Sequence, residues 1–259
     1  MANKIGIALG GGGTKGFAHI GVISVLLKNG IPIDCVSGCS IGAIIGGIYA
    51  CGGKVSDLNK YSGTLNKRLL DVTFPRNGLI KGKRIEKMIS LMTKDLNFDE
   101  TIKPFACNAV CLETGKLEIF KEGKLADAIL ASASMPGVFP PHRINDKTYV
   151  DGGVIDRSAV QAVIDLGADF VIAVDVGYKG EEVEAPKRII KTIERSFEIN
   201  GWYITQQELK KADKVINVEL GNISILGFKH IDETVEKGKL AALQALPEIK
   251  AGIENLKRQ

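Results

Sequence analysis

Apolar runs and helically spaced segments alternate along the first part of the chain. Ile5–Leu9 is a short apolar run that ends in glycines and reads as a buried strand. Phe17–Leu27 carries its large side chains at helical spacing and stops at Asn29-Gly30. Ile33–Ser37 is a second strand, and Ile41–Tyr49 a small-residue helix that ends before Gly52-Gly53. A βαβα opening of this kind predicts a parallel sheet with crossover helices.

The pattern continues with a helix over Arg84–Met92. A hairpin follows, made of Phe105–Leu112 and Lys116–Phe120 across Glu113-Thr114-Gly115. Leu125–Ala133 reads as a helix that terminates at Met135-Pro136-Gly137, Ala159–Leu166 as another, and Phe170–Val176 as the most strand-like run of all. Over 187–211, Ile189, Ile190, Ile193, Phe197 and Ile204 recur between charges, which predicts an amphipathic helix broken at Gly201. Val215–Leu220 is a last strand, and 231–256 a helix interrupted at Pro247. No repeat, low-complexity tract or flexible linker divides the sequence. Residues 1–259 are therefore read as one domain, with its core at about 4–176 and C-terminal helices and strand over 187–256.

Composition narrows the function classes. Of 259 residues, 45% are apolar and 25% charged, an ordinary globular balance. Thirty-four Lys and Arg against 30 Asp and Glu leave a net charge of only +4, too mild a surplus for a dedicated nucleic-acid binder. The five cysteines, Cys35, Cys39, Cys51, Cys107 and Cys111, sit among small or apolar neighbours, with no histidine at a zinc-like spacing. They read as reduced thiols packed in a cytosolic interior. The opening MANKIGIALGGGG has no secretory core, and no run approaches the roughly 18 apolar residues of a membrane span. The expected location is the cytoplasm, with peripheral contact at the inner face of the membrane left open.

Two β–α connections carry candidate chemistry. Gly10 to Gly16 reads G-G-G-G-T-K-G between a strand and a helix. Consecutive glycines turn backbone N–H groups into one cavity, and the helix N-terminus behind them favours negative charge, a phosphate or a developing oxyanion. Gly11-x-Gly13-x-x-Gly16 also fits the dinucleotide fingerprint, which wants an acidic residue about 20 positions on, at the end of the second strand. Asp34 lies 18 positions after Gly16 but begins that strand. What ends it is Gly38-Cys39-Ser40-Ile41-Gly42, a G-x-S-x-G between strand and helix, the setting of a nucleophile elbow. A Ser helix cap in a glycine-rich turn is the plain alternative. In a parallel sheet both loops emerge at the carboxyl edge, which brings a hydroxyl to an anion-seeking cradle.

A seryl hydroxyl needs a base. His19, His142 and His230 are the only histidines, and the order Ser40, Asp151 or Asp175, His230 would suit a triad. Yet His230 follows Gly227-Phe228-Lys229, with no strand or glycine turn to aim it. Asp151 follows Thr148-Tyr149-Val150 and precedes Gly152-Gly153, at a strand end that permits close approach; Asp175 is the reserve candidate. Desolvation would raise a carboxyl pKa and ease proton acceptance.

Gly10–Gly16, Gly38–Gly42, A-S-A-S-M-P-G-V-F-P-P over Ala131–Pro141 and Asp151–Gly153 follow one another in order. Together they resemble the patatin-like phospholipase family, particularly its compact bacterial members. The resemblance implies a three-layer α/β sandwich with a mainly parallel central sheet and helices on both faces. It implies a lipid acyl-ester hydrolase of phospholipase A or lysophospholipase type with a Ser–Asp dyad, no catalytic histidine, no cofactor and no metal. By position, Ser40 is the nucleophile, Asp151 the general base, and the N–H groups of Gly11, Gly12 and Gly13 the oxyanion hole. The Pro136–Pro141 segment either braces the turn that leads to Asp151 or, the preferred reading, is a rigid loop without direct chemistry. Two departures stand out. Lys15 replaces the Arg of many relatives, so the bidentate fork is lacking there. Arg157-Ser158-Ala159 replaces an Asn and Pro pattern, which leaves the dyad intact and reshapes the pocket rim.

The expected partner is a lipid or other acyl-ester substrate, with no nucleic acid and no oligomeric state legible. Lys81, Lys83, Arg84 and Lys87 cluster at a helix start. Lys187, Arg188, Lys191 and Arg195 decorate the amphipathic helix near Trp202 and Tyr203, with Glu194 and Glu198 diluting the charge. Such a face can lie on an anionic membrane or simply be solvated. A nucleotide-binding α/β protein and a non-catalytic lipid sensor are the alternatives to an esterase.

Overall fold

The computed structural model describes residues 3–54, 82–221, 223–225 and 228–258. Lys81 of the basic cluster and Gly227 before His230 lie outside the described residues. Strands β1 (Ile5–Leu9), β2 (Cys35–Gly38), β3 (Phe105–Cys111), β4 (Lys116–Phe120), β5 (His142–Ile144), β6 (Lys147–Asp151), β7 (Phe170–Asp175) and β8 (Lys214–Asn217) form one sheet. Its order is β5-β6-β3-β2-β1-β7-β8, with β4 also on β3. From β3 through β2, β1 and β7 to β8 every pair is parallel; β4, β5 and β6 run antiparallel to their neighbours.

Helices α1 (Ala18–Lys28), α2 (Ile41–Ala50), α3 (Lys83–Met92), α4 (Leu125–Ala133), α5 (Val160–Ile164), α6 (Ile189–Leu209) and α7 (Ile231–Leu256) flank the sheet. Side chains alternate along β1. Ile5, Ile7 and Leu9 pack with Ile20, Ile23 and Leu26 of α1 and Ile249 and Ile253 of α7. Ala8 faces the other way, with Val160 and Val163 of α5 and Leu209 at the end of α6. Burial on both faces is why β1 and β7 read as unbroken apolar runs. Each fully buried Ile or Leu stabilises the fold by about 1.5–3 kcal/mol. The result is the α/β class with helices on both faces. Among the described residues no helix is long and apolar enough to cross a membrane.

Most predicted elements are present with ends moved by a residue or two, the usual uncertainty of helix and strand termini. Three expectations differ. The amphipathic helix runs through Gly201 unbroken, and Gly201 is buried on its inner face. The last helix runs through Pro247, which removes one N–H bond to the Leu243 carbonyl; Leu243 is half exposed, so water reaches that turn. The segment before Asp151 is a hairpin of β5 and β6, where a single strand was expected.

That hairpin positions the site. Cys107 of β3 pairs with Gly38 of β2 and with Phe120 of β4, while Cys111 pairs with Tyr149 of β6 and Lys116 of β4. A strand has two edges, so β2 and β6 share the edge that β4 leaves free. β3 outruns β2, and β6 fills the vacated length from the opposite direction, with Asp151 opposite Ala109. The carboxyl ends of β2 and β6 thus meet head to head.

Candidate active site

Ser40 sits at the turn between β2 and α2 with φ 55° and ψ −123°, a left-handed conformation that costs a non-glycine residue about 1–3 kcal/mol. The flanking glycines are dictated by space. A Cβ on Gly38 would lie 2.3 Å from the Gly42 carbonyl, and one on Gly42 would lie 1.9 Å from the Leu9 carbonyl oxygen. The turn can therefore press against β1 and lift the hydroxyl above the sheet edge, beside the positive end of α2. The Ser40 N–H donates to Ser132 Oγ at 2.9 Å, so α4 holds the strained turn. No cap bond from the Ser40 side chain to α2 exists, which disposes of the helix-cap alternative.

Asp151 ends β6 and is buried. Its N–H donates to the Ser134 carbonyl at 3.0 Å. One short stretch, Ser132–Ser134, thereby braces both the serine turn and the aspartate. The Ser40 side chain lies beside the Asp151 carboxylate, and the two line one cavity. Gly153 N–H donates to Asp151 Oδ1 at 2.8 Å, and the Cys39 thiol approaches the same oxygen at 3.7 Å. Burial is the strongest influence on this carboxyl and pushes it up to about 6, against these hydrogen bonds and the nearby Arg157 charge. Burial and the neighbouring carboxylates hold the Cys39 thiol protonated.

The glycine loop lies opposite. Its first turn is a 3-10 turn over Gly13–Phe17, so α1 begins later than expected. Gly10 N–H is taken by Val174, Thr14 N–H by Ile225 and Lys15 N–H by Gly12. Gly11 N–H donates to the Arg157 carbonyl at 2.9 Å, which corrects the assignment of three oxyanion donors: this amide is already spoken for. Among the described residues the Gly12 and Gly13 amides have no acceptor and remain free. Gly13 has φ +57°, and a Cβ there would strike the Ile225 carbonyl. His19, buried and held neutral by a pKa lowered to about 4 through desolvation, bonds the Gly10 carbonyl at 2.7 Å and so props the loop.

Gly11, Gly12, Gly13, Ser40 and Asp151 line one cavity together with Lys15, Met135, Gly153, Arg157, Phe197 and Glu198. Its volume is about 50 Å³, room for one or two waters. The other candidates are elsewhere. Asp175 is buried but engaged with Lys179 and the Gly177 N–H. Burial pulls its carboxyl upward, yet the Lys179 and Arg157 charges prevail and hold it below its ordinary value. His230 is exposed and pairs with Glu233 at 3.0 Å; His142 pairs with Asp127 at 3.2 Å. Asp34 Oδ2 accepts the Ile5 N–H at the opposite edge of the sheet, so the glycine loop has no ribose partner there.

Ser132, Ser134, His19 and Cys39 escaped prediction because their task is to hold other groups by buried hydrogen bonds. Only the repeated serines of A-S-A-S, at a helix end beside a predicted site, offered a signal.

A family model for patatin-like phospholipase matches residues 7–164. Lysophospholipase NTE1 of Cryptococcus neoformans is 32% identical over 181 residues, 67% of this chain and 11% of that protein. Lysophospholipase nte1 of Emericella nidulans is 35% identical over 180 residues, again 67% of this chain and 12% of its own length. An NTE family protein of Mycobacterium bovis is 32% identical over 177 residues, 67% of this chain and 49% of its own. This chain thus spans a small part to about half of these relatives. Among solved structures, VipD from Legionella pneumophila is similar with a TM-score of 0.68 at 16% identity, over 96% of this chain and 67% of that one. The type III effector ExoU gives 0.54 at 14% identity, over 100% of this chain and 54% of its own. Both share the α/β sandwich. The chain belongs to the patatin-like phospholipase family, a family of lipid acyl hydrolases.

Proposed function

We propose that this protein is a serine hydrolase of lipid acyl esters, of phospholipase A or lysophospholipase type, working through a Ser40–Asp151 dyad within one acyl-hydrolase domain over 1–259. The observation that carries the reading is the placement of the Ser40 side chain beside a desolvated Asp151 carboxylate, in one cavity with the two free amides of Gly12 and Gly13. As Ser40 Oγ attacks the ester carbonyl, its proton passes to Asp151. The carbonyl oxygen gains negative charge and is met by the Gly12 and Gly13 N–H groups. Asp151 returns the proton to the departing alcohol and leaves an acyl-Ser40. Water, deprotonated by Asp151, then releases the fatty acid and restores the serine.

A carboxylate that needs to accept a proton from an alcohol benefits from a pKa near the working pH, and burial supplies that shift. The small cavity means that Phe197 and Glu198 on α6 must yield to admit an ester. Peripheral contact with a lipid surface fits the outer face of that helix, where Ile189, Ile193, Ile199 and Tyr203 are exposed within about a third of the circumference. The test is turnover of lysophospholipid and of short p-nitrophenyl esters by wild type and Ser40→Ala. Loss of both activities in the variant supports the reading, and full activity in it refutes it.

A further inference from the structure

Two cations line the catalytic cavity among the described residues, and they differ in one respect. Lys15 is matched by Glu198 at 3.1 Å. Arg157 is as deeply placed, its side chain 9% exposed, yet its Nε and Nη2 have no hydrogen-bond partner. These two nitrogens share one edge of the guanidinium. They form the fork that takes two oxygens of a carboxylate or phosphate side by side. Asp175 stands 3.8 Å from Nη2, close enough to offset charge and too far to bond, and it is already held by Lys179 and the Gly177 N–H.

The surroundings are shaped for this group. A Cβ on Gly11 would lie 3.1 Å from Arg157 Cγ and 3.3 Å from Ser40 Cβ, so the arginine stem and the serine flank a single glycine. Further out, a Cβ on Gly177 would lie 2.0 Å from Nη2, and one on Gly201 would lie 3.0 Å from Nη1. Neither glycine has a positive φ, so neither is required by its backbone. Gly201 even stands inside α6, where glycine is disfavoured relative to alanine. The guanidinium is sandwiched between the two: a side chain at Gly177 would displace its end, and one at Gly201 would press on it by a few tenths of an ångström. An arginine buried with its fork empty is costly unless a ligand completes it.

We propose that Arg157 is the anion-recognition residue of the site, and that its Nε–Nη2 edge binds two oxygens of a phosphate or carboxylate on the substrate. The enzyme then selects anionic acyl esters over neutral ones of equal chain length. The inference rests on Ser40 being the nucleophile, since that fixes which ester lies beside Arg157.

The experiment compares kcat/KM for a lysophosphatidic acid and for the monoacylglycerol of the same acyl chain, in the same detergent, for wild type, Arg157→Lys and Arg157→Gln. Wild type favours the phosphate ester. Arg157→Gln lowers the preference ratio on the order of 30-fold, as loss of a charged bidentate contact implies. Arg157→Lys, which keeps charge without the fork, falls between. A ratio unchanged in both variants overturns the proposal, as does an equal loss on both esters, which marks a structural role. Calorimetry with dodecyl phosphate, dodecanoate, dodecanol and inorganic phosphate reads the fork independently of turnover. Wild type binding both alkyl anions more tightly than the alcohol, an advantage reduced in Arg157→Lys, supports the proposal even if Arg157→Gln does not fold; equal binding of all three overturns it. Inorganic phosphate binding as well as dodecyl phosphate identifies the free ion as the ligand in place of a headgroup and overturns the substrate assignment. Wild type that cleaves no ester yet binds the alkyl anions through Arg157 defeats the hydrolase reading and leaves the fork standing.

Discussion

Asp151→Asn separates stability from activity in a way that follows from one buried carboxyl. Asp151 has its pKa raised from 3.8 to about 6, chiefly by burial. A folded state that binds a proton more tightly than the unfolded chain gains stability from protonation. That contribution is complete below about pH 4 and is lost as the pH rises through about 6. Two units at 1.36 kcal/mol each make the ionised carboxylate cost about 3 kcal/mol at pH 8 relative to acid. Asparagine is neutral throughout and keeps an oxygen for the Gly153 donor. The variant is therefore expected to be more stable than wild type by about 3 kcal/mol at pH 8, roughly 6–12 °C in Tm. The gap should close towards pH 4. Its esterase activity should fall by about 10²–10⁴, the usual worth of a general base. Urea unfolding of both proteins from pH 4 to pH 8, with turnover measured alongside, checks both halves. A variant no more stable than wild type at pH 8, or a gap that ignores pH, refutes the reasoning.

The same carboxyl sets the pH profile: kcat/KM should fall as the pH drops through about 6, because protonated Asp151 accepts nothing from Ser40. Cys39→Ala removes a hydrogen bond that favours the ionised form, so it should move that acid limb upward; an unmoved limb denies the thiol this role. Gly42→Ala places a methyl 1.9 Å from the Leu9 carbonyl oxygen and should cost about 3 kcal/mol or more in urea unfolding; wild-type stability would contradict the packing of the serine turn. His230→Ala should leave kcat unchanged, whereas a loss of about 10⁴ would show that a triad operates.

Much of this arrangement was legible because it rests on local rules. Ile5–Leu9 and Phe170–Val176 announce buried parallel strands by their unbroken apolarity, and G-C-S-I-G between strand and helix announces a strained turn. Less legible was whatever depends on contacts distant in sequence. Gly201 looked like a helix breaker because its reason, room for the guanidinium of Arg157, lies 44 positions away. Pro247 is tolerated because α7 is already fixed by packing and its freed carbonyl is near water. Which of the Gly11, Gly12 and Gly13 amides stays free is not legible, because a run of glycines does not reveal which one a neighbouring carbonyl will claim. The hairpin before Asp151 was missed since β5 is only three residues long, although Asn145-Asp146 marks its turn. Its effect, to bring β6 head-on to β2, is topological and has no local signature.

The most direct measurement is the mass and position of the adduct formed with a fluorophosphonate probe. The account predicts one adduct per chain, mapped to the peptide containing Ser40, absent in Ser40→Ala and strongly slowed in Asp151→Asn. An adduct on another residue, or ester turnover by a protein whose Ser40 stays unlabelled, would contradict it.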